Sequence, residues 1–590
     1  MKIVKKFFYI PELYCLFLLC VGVLLFFAFR FSLENIGYRS LNDERKATFP
    51  IAEQFREGER FEVFFDVRTK LGEAFALKVI PDDCAETVKI NGNKISLFHF
   101  PGRCDYRNGF VLPLDSIAKY ADGENFHFEF LVRNNGGVGG LNVKPEMLSS
   151  ATGILPYVLM LASFTALFAF LFRRFHIRLL PRILLTAGVL LRALMFSSIS
   201  YSQYSYDVDG HLGYIKIIAE RHEIPGTDDC WTCYHPPVYY AVSSVPWLLG
   251  SALHFDGPSA VQLESLFLSI FVLFLGFKIL ETVLTKKTLV LGTLLWTFWP
   301  LLLLVAPRIG NDQLFYFFHT LCLWGVLEYI RSKSAKALLC AVVAAGLSYW
   351  TKSTGVVTLA TFALGFVLGY FPREMLFPKK SEIVSLVLFI LFCLGILGIR
   401  LYGDASLVGN ASGLHSGLAV PNSLINYIYF DLKNYVLNPF TSPWDAALGR
   451  EFFWNYALKS SLFGEFQILK SPLGEALATA IGISLLVLIV CAFRGFWMSK
   501  IDRIKCLLLF QILMFFGALI CLRITVSFAC SNDFRYILPV LVAFIPFVCF
   551  GISNASCSLK WKVLMVVNGI VFAGLSVWFV LLMLVKNSSF

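Results

Sequence analysis

Residues 563–585 read VLMVVNGIVFAGLSVWFVLLMLV, a run without one charge, bounded by Lys560 and Lys562 before it and Lys586 after it. At about 1.5 Å per residue such a helix spans the roughly 30 Å hydrocarbon core of a bilayer. The pattern recurs along the 590 residues, which are 57% hydrophobic and 15% charged with a mean hydropathy of +0.68. A soluble domain carries roughly 25% charged residues. The chain therefore reads as a polytopic α-helical membrane protein with about 13 spans. They are expected near 9–30, 152–172, 179–200, 259–284, 288–306, 313–330, 337–350, 354–371, 383–401, 473–493, 505–528, 536–552 and 563–585.

Lys and Arg number 51 against 40 Asp and Glu, an excess that suits cytoplasmic loops and gives no case for a nucleic-acid partner. Lys2, Lys5 and Lys6 precede the first span, and Arg173, Arg174 and Arg178 follow the second. Lys286/Lys287, Arg331/Lys333/Lys336, Arg373/Lys379/Lys380, Arg494/Lys500/Arg503/Lys505 and Lys560/Lys562 then fall in every second loop. All are cytoplasmic together only with an inside amino terminus and an odd span count. The first span has basic flanks and no small-residue cleavage site, so it reads as a retained helix. Residues 31–150, 201–258 and 402–472 then face outward. The expected location is a bacterial inner membrane, with the active site facing the periplasm or exterior.

Three domains are expected: an anchor over 1–44, an extracytoplasmic β-sandwich over 45–150, and a transmembrane catalytic module over 151–590. In the second, Phe61–Val67 alternates with period two. Phe75–Ile80, Thr87–Ile90, Ile95–Phe98, Gly109–Leu114 and Phe126–Val132 are further strand candidates, and Asn91-Gly92 marks a hairpin. The pattern resembles jelly-roll domains of the galactose-binding type, read here as a structural or docking module. Cys84 and Cys104 can bridge in an oxidising compartment. Cys230-x-x-Cys233 reads as a small local disulfide, with zinc helped by His211, His222 and His235 as the alternative.

The chemistry concentrates in Tyr206-Asp207-Val208-Asp209-Gly210-His211 and Tyr234-His235-Pro236-Pro237-Val238-Tyr239-Tyr240. Arg308, Asn311, Asp312, Lys352 and the Asn532–Tyr536 stretch with Arg535 are expected at the same outer level. A carboxylate there can deprotonate a hydroxyl or hold a divalent cation, and Arg and Lys suit phosphate. Asp209 can alternatively cap a helix running from Leu212 to Ala219. Lys352 and Arg192 can be snorkelling anchors.

Five segments in order resemble the GT-C superfamily of integral-membrane glycosyltransferases, in the branch of protein O-mannosyltransferases and lipid A aminoarabinose transferases. They are the acidic loop, Tyr234–Tyr240, Pro307-Arg308-Ile309-Gly310-Asn311-Asp312-Gln313-Leu314, Trp350-Thr351-Lys352-Ser353-Thr354-Gly355 and Phe534-Arg535-Tyr536-Ile537-Leu538-Pro539. The resemblance covers about residues 178–590. It implies a GT-C fold and inverting hexosyl or pentosyl transfer on the outer face from a polyprenyl-phosphate sugar to a glycan, lipid or protein. It implies Asp209 as general base, with Asp207 a second candidate for base or metal. His235 then lines the donor pocket, and Arg308, Lys352 and Arg535 hold donor phosphate. His211, Tyr239, Asn311 and Asp312 complete the pocket. Gly210-His211 replaces the Asp-Glu of many relatives, which leaves the choice between Asp207 and Asp209, and any divalent metal on them, open. The other readings are a transporter or flippase for a lipid-linked saccharide, and a surface assembly subunit built around the β-domain.

Overall fold

The structure is a computed structural model that describes residues 15, 17–19, 32–40, 43–47, 51–68, 76–106, 109–113, 120, 125–135, 138–146, 151–199, 201, 203–226, 229–252, 257–371, 379–402, 416–553 and 558–588. Most of the span expected at 9–30 lies outside the described residues. Two compact units divide the chain at His176 and Ile177.

The first unit holds ten strands and helix α1 (Ala151–Arg174). Strands β1 (Ser32–Ser40), β2 (Asp43–Lys46), β4 (Arg60–Arg68), β6 (Cys84–Ile90), β7 (Asn93–Ser96) and β9 (Asn125–Arg133) form an antiparallel sheet in the order β2-β1-β4-β9-β6-β7. Strands β3 (Ile51–Gln54), β5 (Ala76–Pro81), β8 (Phe110–Pro113) and β10 (Val138–Glu146) form a second, in the order β3-β10-β5-β8. Period two explains the core. Phe61, Val63, Phe65 and Val67 of β4 share one buried cluster with Phe126, Phe128, Phe130 and Val132 of β9, and with Leu77, Val79, Leu141 and Val143 of the second sheet. Phe65 pairs with Phe128 in register, their rings 5.1 Å apart.

The strands begin at Ser32, ahead of the boundary expected at 45. Glu34, Asn35 and Gly37 break the apolar alternation of β1, and its register with β4 slips between Glu34 and Gly37, so backbone pairing supplies what the pattern hides. Asn91 and Gly92, with φ of 47° and 82°, form the expected hairpin turn. Cys84 is bridged to Cys104, and Cys230 to Cys233.

The second unit is helical. Its helices are α2 (Leu179–Ser198), α3 (Val208–Arg221), α4 (Val238–Ala252), α5 (Gly257–Val283), α6 (Leu289–Thr297), α7 (Pro300–Leu304), α8 (Asn311–Ser332), α9 (Ala335–Thr351), α10 (Val356–Tyr370) and α11 (Lys380–Tyr402). Short helices α12 (Leu424–Ile428), α13 (Leu432–Leu437) and α14 (Phe453–Phe463) precede α15 (Pro472–Met498), α16 (Arg503–Thr525), α17 (Leu541–Ser553) and α18 (Leu559–Ser588).

Among the described residues seven helical stretches are long and apolar enough to cross a membrane, Leu179–Ser198, Gly257–Val283, Ser353–Tyr370, Pro472–Met498, Arg503–Thr525, Ala529–Ser553 and Leu559–Lys586. The chain is thus an integral membrane protein, and the described helices do not themselves reach the expected count of about 13. The span expected at 288–306 is broken between α6 and α7. Pro300 lacks an N–H and disfavours helical backbone in Trp299, whose ψ is 123°. Helix α3 starts four residues ahead of the expected Leu212, with Asp207 as its N-cap residue and Asp209 in its first turn.

Candidate active site

The amino-terminal end of α3 opens on a bent backbone. Asp207 sits in the left-handed region at φ 52°, ψ 27°, a conformation that Asp tolerates better than most residues. The bend holds Tyr206 against two cations: the Arg535 guanidinium lies 3.8 Å from its ring centre and that of Arg308 lies 4.6 Å away. Phe466 is 4.7 Å from Arg308 and its ring 4.9 Å from that of Tyr206. Cations over aromatic faces gain more when desolvated, and both guanidiniums are buried.

Arg535 is shared among acids. It lies 3.1 Å from Asp533, 3.8 Å from Asp312 and 3.8 Å from Asp207. The Tyr316 hydroxyl donates to its carbonyl oxygen at 2.6 Å. Lys352, 7% exposed at the end of α9, donates to Asp312 in the first turn of α8 and lies 4.7 Å over the Tyr536 ring. Arg308 differs. It is 7% exposed, yet its Nε, Nη1 and Nη2 atoms are buried with no hydrogen-bond partner among the described residues. Tyr206, His211, Arg308, Gly310, Asp312, Gln313, Tyr316 and Arg535 line a small cleft that is partly open to solvent.

His211 is 4% exposed; its Nδ1 shares a hydrogen bond with the Tyr240 hydroxyl at 2.9 Å. Its ring lies 5.9 Å from that of His235. Burial, with Lys352 and Arg535 adding to it, lowers the His211 pKa to about 3. Burial and His211 likewise hold His235 well below the usual imidazole range. Both rings are therefore neutral near pH 7, and that of His211 serves as a hydrogen-bonding group. The Tyr239 hydroxyl accepts from the Gly310 backbone N–H at 3.0 Å, which ties α4 to the segment carrying Arg308. Asn311 is 2% exposed.

The structure thus gathers Asp207, His211, Arg308, Asp312, Lys352 and Arg535, with His235 and Tyr239 behind His211. Asp209 is not within ion-pair distance of these cations among the described residues. Desolvation, with Asp207 beside it, raises its pKa above the usual carboxylate range, although the residue keeps an exposed surface. Among the described residues no group of three or more His, Cys, Asp or Glu side chains has an arrangement that holds a metal. Cys230 and Cys233 are consumed by their disulfide, not by zinc.

Sequence reasoning gave no role to Tyr206, although it opens the acidic stretch, or to Glu465. Glu465 is 7% exposed, accepts from the Tyr456 hydroxyl at 2.5 Å, and donates its backbone N–H to the Tyr206 hydroxyl at 3.3 Å. Burial and Asp533 push its carboxyl pKa upward. Their signals are local: an aromatic directly before the acidic turn, and an acid inside the aromatic run Phe463-Gly464-Glu465-Phe466.

No family model matches this chain, and no curated protein matches it. Among solved structures it is similar to the Archaeoglobus fulgidus oligosaccharyltransferase, with a TM-score of 0.38 and 12% identity over 70% of this chain and 56% of that one. It is similar to the arabinofuranosyltransferase AftD from Mycobacteria, with a TM-score of 0.40 and 13% identity over 68% of this chain and 26% of that one. The arabinosyltransferase EmbB from Mycobacterium smegmatis has a TM-score of 0.37 and 10% identity over 98% of this chain and 63% of that one. The chain therefore spans little more than half the length of the oligosaccharyltransferase.

Proposed function

We propose that this chain is an inverting glycosyltransferase that moves a hexosyl or pentosyl group from a polyprenyl-phosphate donor to an acceptor hydroxyl on the outer face of the membrane. The amino terminus is then cytoplasmic, the span count is about 13, and the β-rich unit is a docking or structural module. Arg308 carries the reading. Its two aromatic contacts leave the N–H donors of this buried guanidinium without hydrogen bonds, which is costly, and a phosphate oxygen relieves that cost through charge-assisted hydrogen bonds. Arg535 and Lys352 are already balanced by Asp207, Asp312 and Asp533, so Arg308 is the cation with donor capacity to spare.

In this reading the Asp209 carboxylate takes the proton of the acceptor hydroxyl. The hydroxyl oxygen attacks the anomeric carbon from the face opposite the phosphate. The bond from that carbon to the phosphate oxygen breaks, and the phosphate leaves with the electron pair, held by Arg308 and Arg535. Asp207 is paired with Arg535, whereas Asp209 has no ion pair among the described residues, which leaves its carboxylate to take the proton. Asp207, beside Arg535, positions the guanidinium.

The test is transfer by purified protein in proteoliposomes given polyprenyl-phosphate sugars and an acceptor panel, with products read by mass spectrometry. Arg308→Ala is expected to lower transfer roughly 100-fold or more, with Arg308→Lys between it and the parent. Unchanged transfer in Arg308→Ala overturns the assignment. Uptake of the labelled donor without product supports the transporter instead.

A further inference from the structure

The disulfide ring of Cys230 and Cys233 lies on the acidic turn. A Cβ added to Gly210 would meet Thr232 Cγ2 at 2.3 Å and Trp231 Nε1 at 2.5 Å, so the two residues inside the ring rest directly on the helix backbone between Asp209 and His211. Thr232 is fully buried there, while Trp231 stays 59% exposed. Within the ring the Cys233 backbone N–H donates to the Cys230 carbonyl at 3.0 Å. The His235 N–H donates to the Thr232 carbonyl at 3.0 Å, so the same ring sets where the His235 segment leaves the loop. Cys233 packs in one buried cluster with Val208, Leu212, Tyr239 and Tyr240, which extends the contact to both sides of the turn.

The N-cap position of α3 makes no side-chain cap hydrogen bond. Asp207, which occupies it, has a left-handed backbone, a conformation that neighbouring packing has to maintain. We propose that the Cys230–Cys233 ring is a clasp that positions the Asp207–His211 turn, and that Cys230, Thr232 and Cys233 are positioning residues for the proposed transfer. A four-residue ring closed by a covalent bond has few conformations, so it presents Thr232 to Gly210 as a rigid surface. The donor-binding cations come from other elements: Arg308 precedes α8, Lys352 follows α9, and Arg535 precedes α17. The clasp therefore acts directly on the acid turn, and reaches phosphate binding only indirectly, through Asp207 beside Arg535.

The inference rests on the proposed function only for its kinetic arm. Backbone hydrogen exchange of residues 208–212, followed by mass spectrometry on the full-length protein, reads the clasp without any activity. Cys230→Ser/Cys233→Ser is expected to speed exchange there roughly tenfold or more, with exchange in α8 and α9 unchanged. Substitution is preferred to a thiol reductant, which also reaches Cys84–Cys104. Gly210→Ala keeps the disulfide and raises helix propensity, yet the clasp predicts faster exchange for it too, because the new Cβ pushes the ring away. Unchanged exchange at 208–212 in both variants overturns the clasp, whatever the enzyme does. In the transfer assay the double variant is expected to lose kcat roughly tenfold or more, with donor KM within about threefold of the parent. A rise in donor KM at constant kcat also overturns it. No transfer by the parent protein with faster exchange in the variants leaves the clasp standing and removes the glycosyltransferase reading.

Discussion

Asp207 and Asp209 stand two residues apart and face different surroundings. Asp207 lies 3.8 Å from Arg535, whereas Asp209 has no ion-pair partner among the described residues and its pKa is raised by desolvation and by Asp207. Asp209→Asn is expected to cut transfer by roughly 10²–10⁴-fold while size-exclusion behaviour stays that of the parent. Full activity in Asp209→Asn, in Asp207→Asn and in the double variant removes the base assignment. The pH profile gives the sign. A base works when deprotonated, so the rate falls as pH drops through the raised Asp209 pKa. Asp207→Asn removes the repulsion and should shift that acid limb to lower pH.

His211 supplies a second residue-scale expectation. Its folded pKa of about 3 lies below the ordinary value of about 6.5. Between those values the unfolded chain binds the extra proton, so stability falls on acidification. From pH 7 to pH 5 the loss from this residue is about 2 kcal/mol. Melting curves of the purified protein should show it, and His211→Gln should flatten the slope. An unchanged slope sinks the claim that His211 is buried and neutral.

At the scale of elements, small residues and polar links decide how helices meet. A Cβ on Gly495 of α15 would lie 1.9 Å from the Phe547 carbonyl oxygen of α17, and one on Gly551 of α17 would lie 2.1 Å from the Cys491 carbonyl oxygen of α15. Both clashes are with backbone, which cannot rotate aside. Gly551→Val is therefore expected to cost about 1–3 kcal/mol, seen as a lower melting temperature in detergent. A parental melting temperature would mean that the two backbones are further apart. Below the site, the His319 ring of α8 bonds Thr358 of α10 at 2.9 Å and Gln511 of α16 at 2.8 Å, and Ser348 of α9 reaches Thr358 at 2.8 Å. In an apolar surrounding such links hold four helices in one register. Asp312 and Tyr316 lie on α8 seven and three residues before His319, so that register also sets where they meet Lys352 and Arg535.

At the scale of the whole molecule, orientation is the open quantity that function depends on. Glu223 and Lys433 belong to regions expected outside, Lys336 and Lys500 to loops expected inside, and all four are exposed. An impermeant maleimide on intact cells should label Glu223→Cys and Lys433→Cys above the parental background. Lys336→Cys and Lys500→Cys should label only after permeabilisation. The reverse pattern would turn the proposed active site toward the cytoplasm. Much of the architecture was legible in the sequence for a local reason. Hydropathy over some twenty residues, loop charge and the Asn91-Gly92 turn each act on neighbouring residues, and they marked the long spans, six of the strands and the helix ends that carry Arg308, Lys352 and Arg535. The strand at Ser32 was missed because sheet pairing overrides a weak local pattern there, and the break at Pro300 because a hydropathy window averages over the one proline that causes it. What tertiary structure alone decided are the pairings: Tyr206 against two guanidiniums, Asp207 and not Asp209 beside Arg535, Asp312 neutralising Lys352, and Arg308 left without a hydrogen-bond partner among the described residues. Those contacts join residues up to hundreds of positions apart. Charge and burial select them only once the helices have packed, because composition names the groups while their energies depend on distance and on the water removed between them.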